Sequence, residues 1–374
     1  MFKMGTNVKK IFYLLIVTFI FFINLCVKGE DDWDFTDAQE VMDEYTDSGF
    51  DIKSTVNELQ KGNTTGWLKG ILWDIKNYFT LEIEYNKKAI AIIIFVAIGG
   101  AILSNFAAAF GSESVSETGS MISYIMFIGY LLAGFTTILD VAKNSVFAIT
   151  SFLNALIPVY FLSVGLAGGG MSAIGFYETA LIAITIISNI LNKIMIPSVM
   201  IYVVLVVINS INSRDYFSKS ADLIKTIIMW ALKIMAGFVL GINVIQSMVM
   251  PSVDAIAGST VEKIIRLIPG IGAGAGTVAD LLIGSGTIIK NAIGTTIIIG
   301  MAVICIIPAV KIMVFILMYK VVDALLQPVT EKNISESLSG VIEGGKILLK
   351  ITLYSVALFS VSIAIICIAT NIKI

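Results

Sequence analysis

The sequence predicts an all-α, polytopic integral membrane protein. Three observations carry that prediction: long apolar runs, scarce charge, and no two-residue alternation. The runs Ala89–Phe110, Met121–Leu139 and Ile351–Ala369 approach or exceed the roughly 20 residues that a helix needs to cross the hydrocarbon. Charged residues make up 14% of the chain and hydrophobic ones 57%, where soluble domains carry roughly 25% charge. A transmembrane β-barrel would alternate apolar and polar residues in segments of about 10, whereas these runs are apolar on every side.

The chain divides into three parts. Residues 1–29 read as a signal peptide or an N-terminal anchor: Lys3, Lys9 and Lys10 precede the apolar run Ile11–Cys26, and Val27-Lys28-Gly29 follows. Leu25 before Cys26 is a poor fit to a lipoprotein site, which wants a small residue there. Residues 30–88 form an acidic extracytoplasmic segment. Ten acids and no base fall between Glu30 and Asp51, a density that repels itself and resists folding alone. That stretch reads either as a docking segment for a partner or as a solvated tether. Farther on, Thr65–Leu68, Ile71–Trp73 and Tyr78-Phe79 suggest an amphipathic helix at the membrane interface.

Residues 89–374 form the transmembrane helical core, and proline marks an internal repeat in it. Pro158 and Pro269 are 111 residues apart, as are Pro197 and Pro308. At that offset Leu156-Ile157-Pro158 matches Leu267-Ile268-Pro269, Gly175 matches Gly286, and Thr185-Ile186-Ile187 matches Thr296-Ile297-Ile298. Residues 156–205 hold 14 identities in 50 without a gap. The repeats are expected over 121–225 and 226–345, with a final span at 351–369. The stretches Thr179–Asn209 and Asn291–Tyr319 are each about 45 Å long as one helix, so each is either one kinked, tilted helix or two short spans broken at its proline. Gly165/Gly169, Gly270/Gly274 and Gly272/Gly276 have the four-residue spacing that lets helix backbones touch. Alternating glycine is also a poor helix, which leaves a re-entrant turn as the alternative for the second set.

Basic connectors mark the cytoplasmic side. Ser210–Lys225 carries Arg214, Lys219 and Lys225, and Lys320–Lys350 carries four lysines, so both connectors are expected on that side. Asp140, Lys143, Glu178, Lys193, Lys233 and Lys311 lie in or near apolar stretches. Charges at mid-bilayer cost several kcal/mol and often line pathways, but a lysine near a helix end reaches the headgroups instead. Among these, Glu178 and Lys311 are the better candidates for a buried polar site.

Several function classes drop out. The sequence has no histidine, which removes the commonest general base and zinc ligand together with every Ser-His or Cys-His pair. Cys26, Cys305 and Cys367 show neither metal nor disulfide spacing. No phosphate-binding loop, dinucleotide fingerprint or nucleophile elbow occurs. The chain is therefore expected not to be an enzyme, with no catalytic, cofactor-binding or metal residue to name and no cofactor. A net charge of −2 gives no general attraction to nucleic acid. The expected surroundings are the lipid bilayer and protein partners.

The signal-like Lys9-Lys10-Ile11 start, the acidic external segment, Leu-Ile-Pro-Gly-Ile-Gly at 267–272 and the proline-centred stretches together resemble the stage III sporulation protein AE family of endospore-forming bacteria. The resemblance implies a multi-pass protein of the mother-cell membrane facing the forespore. It implies partnership with other proteins of the stage III sporulation A operon and with a forespore membrane protein. Together these form a secretion-like channel complex that supports late forespore gene expression. It implies no catalytic residues. From composition and repeats alone the alternative is an independent secondary transporter, or permease; an intramembrane enzyme is disfavoured by the missing catalytic pairs.

Overall fold

The structure is a computed structural model that describes residues 33–46, 50–60, 66–109, 113–167, 170–211, 215–266, 272–328, 330 and 332–370. The signal-like segment 1–29, and with it Cys26, lies outside the described residues, as do Pro269 and three of the clustered glycines, Gly168, Gly169 and Gly270. The described residues are helical throughout their regular elements. Two short helices come first, α1 (Thr36–Tyr45) and α2 (Ile52–Gln60). The long helices are α3 (Gly66–Ala109), α4 (Glu113–Leu166), α5 (Gly170–Ile190), α6 (Ile196–Ile211), α7 (Ser218–Arg266), α8 (Gly272–Leu326) and α9 (Lys332–Ala369). Among the described residues six helical stretches are long and apolar enough to cross a membrane. The chain is a polytopic, all-helical membrane protein.

Burial ranks the helices. In the most apolar windows of α8 and α9, 61% and 67% of residues are buried, against 17% in α3 and 28% in α4 and in α7. The α8–α9 hairpin is therefore the centre. Helix α8 packs on α9, α4, α3 and α2, and α9 packs on α6, α4 and α7. Their burial follows from sequence: Gly294-Thr295-Thr296-Ile297-Ile298-Ile299-Gly300 is small or apolar on all sides, so no face prefers lipid over protein.

Both proline-centred stretches run as continuous helix rather than as two short spans. In the first, a π turn at Leu191–Met195 joins α5 to α6 directly before Pro197. Proline lacks an N–H and its ring clashes with the carbonyl one turn back, and the wider turn gives that carbonyl room. In the second, Pro308 sits inside α8 with no such bulge. The alternating glycines Gly272, Gly274 and Gly276 open α8 as helix, not as a re-entrant turn. The aromatic stretch from Gly66 to Phe79 is helical and continues unbroken in α3 through the apolar window.

The acidic stretch is not wholly a solvated tether. Helix α1 docks on α4 through Ala38 and Met42, which are buried, while Asp37, Glu40, Asp43 and Glu44 face outward. Its first turn is fixed by Asp34, whose Oδ1 accepts from the Thr36 amide at 3.0 Å and the Thr36 hydroxyl at 2.6 Å. Gln39 ties α1 to α2, donating to Phe50 O at 2.9 Å and accepting from the Ile52 amide at 2.9 Å. One short buried face against the bundle offsets the self-repulsion that would keep the segment unfolded alone.

Candidate functional site

Lipid offers no hydrogen bonds, so polar side chains inside the bundle must find each other. Several do so, at four levels. At the connector end, the Tyr124 hydroxyl of α4 lies 2.8 Å from Ser210 Oγ of α6 and 2.7 Å from Ser337 Oγ of α9; the two serines are 2.7 Å apart. This triangle brings the ends of three helices to one level. It also places the connectors after α6 and after α8 at the same end of the bundle.

About three turns into α9 stands Glu343. It accepts from Lys225 of α7 at 3.1 Å and from Lys346 of its own helix at 2.7 Å. With Lys225 on one carboxylate oxygen and Lys346 on the other, this group clamps α7 to α9. The turn between α6 and α7 is latched just outside: Ser218 Oγ and Asn209 Nδ2 each donate to Asp215 at 2.8 Å, and the Phe217 amide donates to Asn209 Oδ1 at 2.8 Å. The Ser218 hydroxyl, then Asn209, holds the Asp215 carboxyl below its ordinary value of 3.8.

Farther along, α4, α5, α7 and α9 enclose a cavity of about 40 Å³. Gln246 Nε2 donates to Thr179 Oγ1 at 2.6 Å, and Asn243 Nδ2 donates to Ser362 Oγ at 3.1 Å, both on its wall. The volume suits a few waters.

At the far end Lys290 of α8 is wholly buried and donates to the Thr370 carbonyl at 2.9 Å, at the C-terminus of α9. The carbonyls there carry the negative end of the helix dipole, which rationalises a cation in that place. Next to it Cys367 Sγ lies 3.0 Å from Asn291 Oδ1. Among the described residues no group of three or more His, Cys, Asp or Glu could hold a metal ion. These clusters fasten helices together, and none pairs a nucleophile with a base.

The charges singled out from sequence fall elsewhere. Asp140, Lys143, Lys193 and Lys233 are exposed; Lys311 is half-buried. Glu178 is exposed too, so of the two candidates for a buried polar site it takes the other alternative, a side chain at the surface. Lys290 and Glu343 are absent from the sequence candidates, and Lys225 enters there only as a connector charge. A signal existed for Lys290, a lone cation inside the run 286–299 where a snorkelling path is long. The glycines shifted as well. A Cβ on Gly165 would meet nothing within 4 Å, whereas one on Gly286 would come within 2.8 Å of the Leu166–Ala167 backbone. Gly340 and Gly344 press against Val206 and Val203 of α6. They form a four-residue-spaced pair overlooked among the more glycine-dense segments.

A profile of the family described as stage III sporulation protein AE matches residues 50–370. The curated protein described as stage III sporulation protein AE of Bacillus subtilis (strain 168) is 27% identical over 266 residues, which is 70% of this chain and 65% of that protein. No solved structure matches the chain.

Proposed function

We propose, since the chain belongs to the stage III sporulation protein AE family, that it is a membrane component of a multiprotein channel or secretion-like complex joining mother cell and forespore. In this reading it sits in the mother-cell membrane facing the forespore. Its partners are other proteins of the stage III sporulation A operon and a forespore membrane protein. Its role is structural: it holds a pathway's walls rather than turning over a substrate.

The observation that carries this reading is the packed centre. Helices α8 and α9 fill the middle of the bundle. The Tyr124–Ser210–Ser337 triangle and the Glu343 clamp pin their neighbours at one end. A permease needs two arrangements of its helices around a central site. In this arrangement the cavity between α4, α5, α7 and α9 has room for a few waters. The outward acids of α1 supply a docking face for a basic partner surface. The duplication of 121–225 in 226–345 belongs to this proposal as the origin of the proline pairs at one offset, Pro158 with Pro269 and Pro197 with Pro308.

Purified chain reconstituted alone into liposomes tests the reading. No solute uptake above empty vesicles is expected. Sustained uptake by the chain alone would replace this reading with the permease.

A further inference from the structure

Two stripes of exposed side chains run along the outside of the bundle. On α4, Met126, Gly129, Ala133, Thr136, Asp140 and Phe147 are exposed. On α7, Leu223, Trp230, Lys233, Gly237 and Gly241 are exposed. Steps of three, four and seven residues put each set on one side of its helix. Helices α5 and α9 each pack on both α4 and α7, and the stripes face away from them, so the stripes can meet only between copies.

Two copies in one membrane share orientation and height, so a contact between them needs complementary groups at equal heights. Helix α9 serves as the ruler. Ile138 of α4 lies against its Gly345, and Lys225 and Asn243 of α7 bond its Glu343 and Ser362. All three helices run the same way along the bundle. On this scale Ala133 and Leu223 stand within about 2 Å of one height, and so do Phe147 and Gly237. Asp140 and Lys233 stand within about 6 Å, which a lysine stem spans.

The stripes complement each other at those heights. Toward the connector end α4 is small at Gly129 and Ala133, where α7 is large at Leu223 and Trp230. Farther up the sizes reverse: α7 is open at Gly237 and Gly241, and α4 carries Phe147. In the isolated chain a Cβ on Gly129, Gly237 or Gly241 would meet nothing within 4 Å. Small residues set against large ones let membrane helices approach closely. The opposite charges mark the changeover. Neither Asp140 nor Lys233 makes an ion pair among the described residues. On an apolar face such a charge is unfavourable against lipid and favourable against its opposite. Lys143 points about 60° round α4 from Asp140, off the stripe.

We propose that the α4 stripe of one copy of this chain binds the α7 stripe of a second copy, with Asp140 of the first paired to Lys233 of the second. Because the two faces differ, the contact is head to tail. Each copy keeps one face of each kind for its next neighbour, so the contact repeats around an axis normal to the membrane. The proposal goes beyond the channel reading and does not depend on it.

Two measurements on the full chain in its membrane test it. The chain's own three cysteines are replaced by alanine. Two pairs, Ala133→Cys with Leu223→Cys and Phe147→Cys with Gly237→Cys, are then made singly and together. Under mild oxidation a double variant is expected to give a ladder of dimers, trimers and larger species. Its two single variants mixed should give dimers alone, and either single variant by itself no cross-link. Absence of a ladder from both pairs, or dimers from a single variant alone, would overturn the head-to-tail contact. In the second measurement, Asp140→Lys and Lys233→Asp are each expected to cut the ladder at least about fivefold, since each sets like charges together. The combined variant Asp140→Lys/Lys233→Asp is expected to restore it. A combined variant no better than the single ones would overturn the Asp140–Lys233 pair. The first measurement changes neither charge, so it decides the contact even if a charge reversal prevents insertion.

Discussion

Gly344 offers the sharpest packing test. A Cβ there would collide with Val203 of α6 and lie 3.0 Å from the Phe135 ring of α4. Val203 and Phe135 are both wholly buried, so neither can swing into lipid to make room. Overpacking a tight core costs about 1–3 kcal/mol. Alanine also stiffens a helix relative to glycine, by about 1 kcal/mol in the opposite sense. Gly237 of α7 cancels that second effect, because a Cβ there meets nothing within 4 Å. Gly344→Ala is therefore expected to be less stable than Gly237→Ala by about 1–3 kcal/mol. Reversible unfolding in mixed dodecylmaltoside and SDS micelles, followed by circular dichroism, measures the difference. Equal stabilities of the two variants would refute the close approach of α9 to α6 and α4.

Three further outcomes follow from the same geometry. A double-mutant cycle on Lys225→Met and Glu343→Gln is expected to show a coupling of about 1 kcal/mol, modest because both side chains are partly exposed; zero coupling would remove the clamp between α7 and α9. The Asp215 carboxyl is held below 3.8, so the latch it makes is fully formed above that pH and is lost as pH falls through the depressed folded-state value. Protection of the Phe217 amide from hydrogen exchange, taken relative to an unstructured amide at the same pH, should fall only in that acid range, and loss of protection near neutral pH would contradict the latch. Cysteines at Ser54 and Ser220, both exposed, should label from opposite sides of the membrane with an impermeant maleimide, and labelling of both from one side would overturn the assignment of the connectors to the cytoplasm.

The helical class was legible because a membrane span announces itself by composition over 20 residues, and Ala89, Met121 and Ile351 each open such a window. Helix ends were not, because hydropathy reports where lipid is tolerated and not where the helix stops. Helix α3 begins at Gly66, far ahead of its apolar window at Ala89. Docking of α1 was illegible for a different reason. Its acids dominate the composition, while its attachment rests on Ala38 and Met42, two residues on one face. Close-packed glycines could not be ranked from spacing alone: Gly165 and Gly344 look alike in the sequence, and only the neighbours that α6 and α4 bring to Gly344 separate them. Lys290 shows the same limit, since its acceptor is a backbone carbonyl 80 residues away at the end of another helix.

The central claim is that this chain works as a fixed part of a larger membrane assembly. The most direct measurement is mild-detergent isolation of the tagged chain from sporulating cells at native abundance, with its co-purifying proteins identified and quantified. The account expects the chain in a large particle with other stage III sporulation A operon products in constant ratios. Recovery of the chain alone, at the size of a single copy in its micelle while those products elute elsewhere, would contradict it.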